Sequence, residues 1–182
     1  MAEKKKKVRI KRLYEYARDY TVSPDGKVHY HGLLYDFEDG SCQLLFRRFL
    51  FFSSVSTVLL VVSGLLPVVS MRFSPFVIFP YGIALVFSFI LLVSCVRAVR
   101  ASLPMERRTF DTSFGRFLPV SVVLGVCSVV MFFGHLIYLL THLFLGIILA
   151  DVIFAVAQIC VTALSVIIFL RTRSIRYRSY DA

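Results

Sequence analysis

Tryptophan is absent from the 182 residues. Any aromatic belt at a membrane surface must then be made of tyrosine, and Tyr81 and Tyr138 are candidates for it. Acids are scarce: 11 Asp and Glu stand against 21 Lys and Arg, a formal net charge of +10. Only one acid, Asp151, falls inside the long apolar runs, so paired-carboxylate chemistry within a membrane has no second member. The four cysteines, Cys42, Cys95, Cys127 and Cys160, form no Cys-x-x-Cys pair. That spacing suits neither a zinc site nor a thiol–disulfide centre, and the thiols read as small buried apolar groups. There is no Gly-x-Ser-x-Gly, no His-Glu-x-x-His and no phosphate-cradling glycine loop. The expectation is no enzyme, no catalytic residue, no metal and no cofactor.

What the chain has instead is long apolar runs, with a mean hydropathy of +0.77. Four spans are expected, at about 49–70, 76–96, 117–141 and 147–170. The last two come from one stretch, Phe117 to Leu170, which as a single helix would be about 80 Å long against a bilayer core of about 30 Å. It must turn back on itself. The predicted fold class is an all-α membrane protein, a four-transmembrane-helix bundle of two antiparallel hairpins with a small N-terminal β-hairpin. Residues 1–12 form a basic arm, 13–46 the β-hairpin segment, 47–176 the transmembrane domain and 177–182 a tail. No cleavable signal peptide is expected, since the first apolar run follows a long polar segment and is too long for one.

The basic residues flank the spans. Every Lys and Arg except Arg72 lies before the first span, between the second and third, or after the fourth. The positive-inside rule then puts both termini in the cytoplasm. Arg47, Arg48, Arg97, Arg100, Arg107, Arg108, Arg116, Arg171 and Arg173 are the expected contacts with anionic lipid headgroups. No nucleic acid is expected, because no recognition fold accompanies the charge. Ser102-Leu103-Pro104 reads as a helix start with Pro104 in the first helical position. Phe110, Phe114 and Phe117 beside Arg107, Arg108 and Arg116 suit a short helix at headgroup level.

Upstream, Tyr16, Arg18, Tyr20 and Val22 alternate with Ala17, Asp19 and Thr21; Ser23-Pro24-Asp25-Gly26 follows, then Val28, Tyr30 and Leu34. Period-two alternation around Pro-Asp-Gly predicts a β-hairpin, with Gly32 as a bulge. A lone hairpin is marginal in water, so it should rest on the end of the bundle or on a partner. His29 and His31 lack further ligands at metal-binding spacing and read as surface histidines.

Two polar stripes mark the last pair of spans. Ser121, Gly125, Ser128, Phe132, His135, Leu139 and His142 recur at steps of four and three, as do Asp151, Ala155, Gln158, Thr162 and Ser165. Such spacing puts each set on one helix face, where small residues permit close helix approach. A turn centred near Leu143 brings His135 and Asp151 to one depth, as an intramembrane pair able to hold a proton. The alternative is that Asp151 caps the fourth span at the surface, since Asp151 to Leu170 is itself about 30 Å of helix. His135, Asp151, Gln158 and His142 are the candidate polar site.

The layout resembles small, uncharacterised four-span membrane proteins of Gram-positive bacteria. The resemblance rests on the tyrosine-rich hairpin with Pro24-Asp25-Gly26, on Phe79-Pro80-Tyr81, and on Arg108-Thr109-Phe110-Asp111-Thr112-Ser113-Phe114-Gly115-Arg116. It implies an architecture in the bacterial plasma membrane and no established activity. The functional expectation is a non-catalytic membrane subunit, scaffold or regulator that associates with itself or with another membrane protein. The alternative is a small oligomeric proton- or ion-coupled transporter or channel using His135 and Asp151.

Overall fold

A helix that crosses a bilayer must be apolar for about 20 residues, but nothing obliges it to stop where the apolar run stops. That difference sets the element bounds. The computed structural model describes residues 16–17, 19–23, 25, 28–37, 42–142 and 149–181. In chain order these give β1 (Tyr20–Val22), β2 (Val28–Tyr30), β3 (Leu33–Phe37), α1 (Cys42–Leu65), α2 (Val69–Phe73), α3 (Pro75–Arg100), β4 (Met105–Glu106), α4 (Arg107–Thr112), α5 (Phe114–Thr141), α6 (Leu149–Ser174) and β5 (Tyr177–Asp181). Helices α1, α3, α5 (with the short α4 leading into it) and α6 are long and apolar enough to cross a membrane. The chain is a four-span all-α membrane protein with small strand pairs.

The helices overrun the apolar runs at the arginine-bearing end. Arg97 and Arg100 lie in the last turn of α3, and Arg171 and Arg173 in the last turn of α6. Arginine is a good helix former and is favoured at a helix C-terminus, so the charge ends the apolar run without ending the helix. Helix α1 likewise begins at Cys42, before Arg47 and Arg48. At its other end it stops at Leu65, short of the expected residue 70. The proline at position 67 disfavours helix in the residue before it, and the chain restarts as α2.

Each long helix packs mainly against two others: α1 against α3 and α6, and α5 against α3 and α6. Tyr81 reaches Leu60 near one end of α1 and α3, while Cys95 faces Ser53 near the other. Gly125 faces Ser165 and His135 meets Asp151 in the same crossed order on α5 and α6. The interior is rich in hydroxyls that bond back to their own helix, as Thr57 does to the Ser53 carbonyl (2.9 Å) and Ser165 to that of Val161 (2.8 Å). Back-bonding satisfies the hydroxyl without a partner and leaves a small surface for close packing.

Tyr81 is therefore not a belt residue. Its hydroxyl donates between helices to the Leu60 carbonyl at 3.1 Å. Pro80 lies in the second turn of α3 and removes the N–H that would bond the Phe76 carbonyl. That carbonyl faces Gly134 of α5, where an added Cβ would come within 3.1 Å of the Phe76 oxygen.

The arginine-bearing ends meet under a sheet of order β4-β3-β5, antiparallel throughout. Leu34 pairs with Glu106 on one side of β3, and Leu33 to Phe37 pair with Asp181 to Tyr177 on the other. The central strand precedes the first long helix, one neighbour lies between the second and third, and the other follows the fourth. Tyr177–Asp181 in the tail, and Met105–Glu106 where a helix start is expected, thus contribute strands. Pro104 sits outside any helix, after a cis peptide bond, and α4 begins at Arg107.

Aromatic rings join the sheet to the bundle. Tyr35 stacks on Phe110 with centroids 4.1 Å apart, and Phe37 meets both Phe46 and Phe114 edge-on at 5.4 Å. Phe110, Phe114 and Phe117 are buried in this cluster, not laid on headgroups as expected. Buried aromatic pairs of this geometry add about 0.5–1.5 kcal/mol each beyond their area.

The hairpin pairs Tyr20 with Tyr30, Thr21 with His29 and Val22 with Val28. Pro24, Gly26 and the basic arm at 1–12 lie outside the described residues. Tyr16 and Ala17 are helical, not extended. Gly32 is a crossover between two sheets, not a bulge in one strand. A Cβ there would meet the Tyr30 hydroxyl at 2.6 Å and the Asp19 Cβ at 2.7 Å. The hairpin rests on the sheet end of the bundle: Tyr20 donates to Glu106, Tyr16 donates to Asp111, and the Arg107 N–H donates to the Tyr30 hydroxyl.

Candidate functional site

His135 stands on the buried face of α5, 1% exposed. Its Nδ1 lies 2.6 Å from the Ser70 hydroxyl of α2, and its Nε2 lies 3.2 Å from the Asp151 backbone oxygen of α6. A carbonyl only accepts, so Nε2 carries the proton and donates it to Asp151. In the neutral ring Nδ1 then accepts from the Ser70 hydroxyl. The ring also packs on Phe154, centroids 5.0 Å apart. One imidazole thereby ties three helices together at the end of the bundle opposite the sheet.

Asp151 lies against His135, yet the hydrogen bond at Nε2 goes to its main chain. The residue is 4% exposed in the first turn of α6, inside the helix as described and not at a surface cap. A carboxylate there benefits from the positive helix end. His142 is elsewhere. It is exposed past the end of α5, donating from Nδ1 to the Tyr138 carbonyl (3.0 Å) and stacked on the Tyr138 ring at 4.3 Å.

Two turns deeper, Ser128 precedes His135 by seven residues on α5, and Gln158 follows Asp151 by seven on α6. Both are wholly buried. The Gln158 amide nitrogen and oxygen and the Ser128 hydroxyl find no hydrogen-bond partner among the described residues. A further two turns on come Ser121 and Ser165, also buried. The seven-residue positions of both stripes thus face the interior, while Gly125, Phe132, Ala155 and Thr162 are half-exposed.

Two of those half-exposed positions, Gly125 and Thr162, lie in a groove between α5 and α6 on the outer surface of the bundle. Its volume is about 350 Å³. Gly125 and Thr162 line it together with Val126, Val129, Val166 and Phe169. Gly125 sits so close to α6 that an added Cβ would contact the Ser165 Cβ at 3.6 Å.

The arginines gather at the sheet end. Arg47, Arg48, Arg97, Arg100, Arg108, Arg116, Arg171 and Arg173 are exposed there, while Arg107 is half-buried with its guanidinium 5.9 Å from the centre of the Tyr16 ring. Nearby phenols are shifted. Tyr20 is pushed up to about 12 by its hydrogen bond to Glu106, then by burial and by the charge of that acid. Tyr30 and Tyr35 are raised chiefly by burial.

Among the described residues no three His, Cys, Asp or Glu are grouped as metal ligands would be. Ser70 is the site residue that sequence reading misses. It stands in a five-residue helix after a break, where no periodicity points inward. Neither known protein families, nor curated proteins, nor solved structures give a match to this chain.

Proposed function

We propose that this protein is a non-catalytic integral membrane subunit that assembles laterally by receiving an apolar transmembrane helix, from a second copy or from another membrane protein. The observation that carries the reading is the groove at Gly125, an open, largely valine-lined concavity with Gly125 and Thr162 in its wall, on the lipid-facing side of α5 and α6. In lipid, helices associate through close packing of such surfaces, not through hydrophobic expulsion. His135 supports the non-catalytic part of the reading, since both ring nitrogens are engaged in holding helices. The basic sheet end faces the cytoplasm of a bacterial plasma membrane in this proposal, by the positive-inside rule. The test is native mass spectrometry in mild detergents of wild type and Gly125→Ile. A wild-type assembly or partner complex that the variant loses supports the proposal. A monomer without partner in every detergent sinks it.

A second reading, a small oligomeric proton- or ion-coupled transporter or channel, is favoured by one observation. Among the described residues the Gln158 amide and Ser128 hydroxyl are buried without a hydrogen-bond partner two turns from His135, as groups on a hydrated path would be. Proton and cation flux into liposomes decides it. Equal flux in wild type, His135→Ala, Asp151→Asn and Gln158→Leu removes it.

A further inference from the structure

A second concavity lies at the other end of the molecule. The last turns of α3, the start of α4, β4 and the Tyr20 strand enclose a pocket of about 810 Å³. Its walls change character along α3. Leu92, Val93 and Val96 line one part, and Arg97 and Arg100 the next. Residues at these spacings share one helix face, so apolar surface gives way to guanidinium within about 12 Å of rise. Arg108 of α4 adds a third cation to the lining. Arg97, Arg100 and Arg108 are exposed, and Val93 is 48% exposed.

The one acid on the wall among the described residues, Glu106, is held by the Tyr20 hydroxyl at 2.5 Å. The shifted phenol of Tyr20 stays neutral through the physiological range and adds no negative charge. Three guanidinium groups thus face one carboxylate. Guanidinium forks suit phosphate oxygens, and basic pockets beside transmembrane helices suit lipid headgroups. A soluble phosphate would use the arginines and leave the Leu92–Val96 surface uncovered. An amphiphile uses both.

We propose that this pocket binds one anionic phospholipid, its phosphate on Arg97, Arg100 and Arg108 and an acyl chain along Leu92, Val93 and Val96. This differs from diffuse attraction between a basic rim and a charged membrane, because it requires those three arginines together with the apolar wall. It is independent of lateral assembly at Gly125, which lies on other helices.

The test uses the full chain in phosphatidylcholine nanodiscs containing a few per cent phosphatidylglycerol, with native mass spectrometry counting the lipids retained. Wild type is expected to keep one phosphatidylglycerol in preference to phosphatidylcholine. The triple variant Arg97→Gln, Arg100→Gln, Arg108→Gln should lose that retention at least tenfold. Arg47→Gln, Arg48→Gln, Arg116→Gln, with the same charge removed elsewhere on the rim, should keep it. Val93→Trp, which fills the apolar wall and leaves the arginines intact, should also lose it, so the test survives a triple variant that does not fold. The proposal is overturned if wild type shows no preference, if both triples lose the lipid equally, or if Val93→Trp retains it. It is equally overturned if free glycerol 3-phosphate displaces the lipid at comparable concentration, which marks a soluble-phosphate site.

Discussion

The Tyr81 hydroxyl occupies the space that a side chain at Gly64 would need. An added Cβ at Gly64 would come within 2.7 Å of the Tyr81 Cζ and closer still to its oxygen. The same hydroxyl donates to the Leu60 carbonyl, one turn before Gly64 on α1. Glycine here is a matter of close approach between α1 and α3. Gly64→Leu must expel the ring, an overpacking that costs about 1–3 kcal/mol. Tyr81→Phe loses only the hydrogen bond, about 1 kcal/mol. Thermal melting in mild detergent should rank Gly64→Leu below Tyr81→Phe, and the reverse order would refute the contact.

His135 is expected to matter for stability. His135→Leu leaves the Ser70 hydroxyl and the Asp151 carbonyl without their ring partner, at about 1–3 kcal/mol. Ser70→Ala should cost about 1 kcal/mol. The two substitutions should be non-additive, with a coupling of at least about 0.5 kcal/mol in a double-mutant cycle of unfolding in detergent. Strict additivity would mean that α2 and α5 do not communicate through this bond.

Gln158 gives the opposite expectation. Its buried amide has no hydrogen-bond partner among the described residues, which is costly, so Gln158→Leu should leave the melting temperature unchanged or raise it. A loss above about 1 kcal/mol would show that water or an ion engages the amide, and would favour the transport reading.

Tyr20 predicts a loss of stability in alkali. Its pKa is pushed up in the folded state from the ordinary phenol value of 10.0 to about 12 by the Glu106 hydrogen bond. The folded state therefore binds the proton more tightly. That contribution is whole below pH 10 and disappears as pH rises towards 12. Tyr20→Phe should flatten the pH dependence of melting across this window. Ultraviolet titration of tyrosinate should lose a phenol that titrates near 12 in the variant, and an unchanged titration would count against the Glu106 hydrogen bond.

The four spans are legible because each is an apolar run longer than a bilayer core, and the Tyr20–Val22 and Val28–Tyr30 pairing because alternation flanks Pro24-Asp25-Gly26. The inward faces of α5 and α6 follow from seven-residue recurrence of Ser121, Ser128 and His135, and of Asp151, Gln158 and Ser165. The sheet is not legible. Its middle strand, Leu33–Phe37, finds one partner about 70 residues later in the two residues Met105-Glu106, and another near the end of the sequence in Tyr177–Asp181. Two residues carry no periodic signal, and pairing across such separations is a tertiary event. The Phe110, Phe114, Phe117 set misleads for the same reason: Phe110 and Phe114 meet the sheet and Phe117 meets Phe46 and Phe49 of α1, tertiary contacts that local pattern does not announce. Depth brings His135 and Asp151 together in sequence, but only coordinates tell a carbonyl partner from a carboxylate.

The strand order has a consequence for how the chain is made. Leu33–Phe37 is synthesised before any of the four long helices, and Tyr177–Asp181 after all of them. Until then the earlier strand keeps a bare edge, a template for wrong pairing. A chain threaded an odd number of times would strand the two partners on opposite sides of the bilayer, and the ladder between them would never form. Closure of that five-residue ladder thus requires an even number of crossings between the two strands.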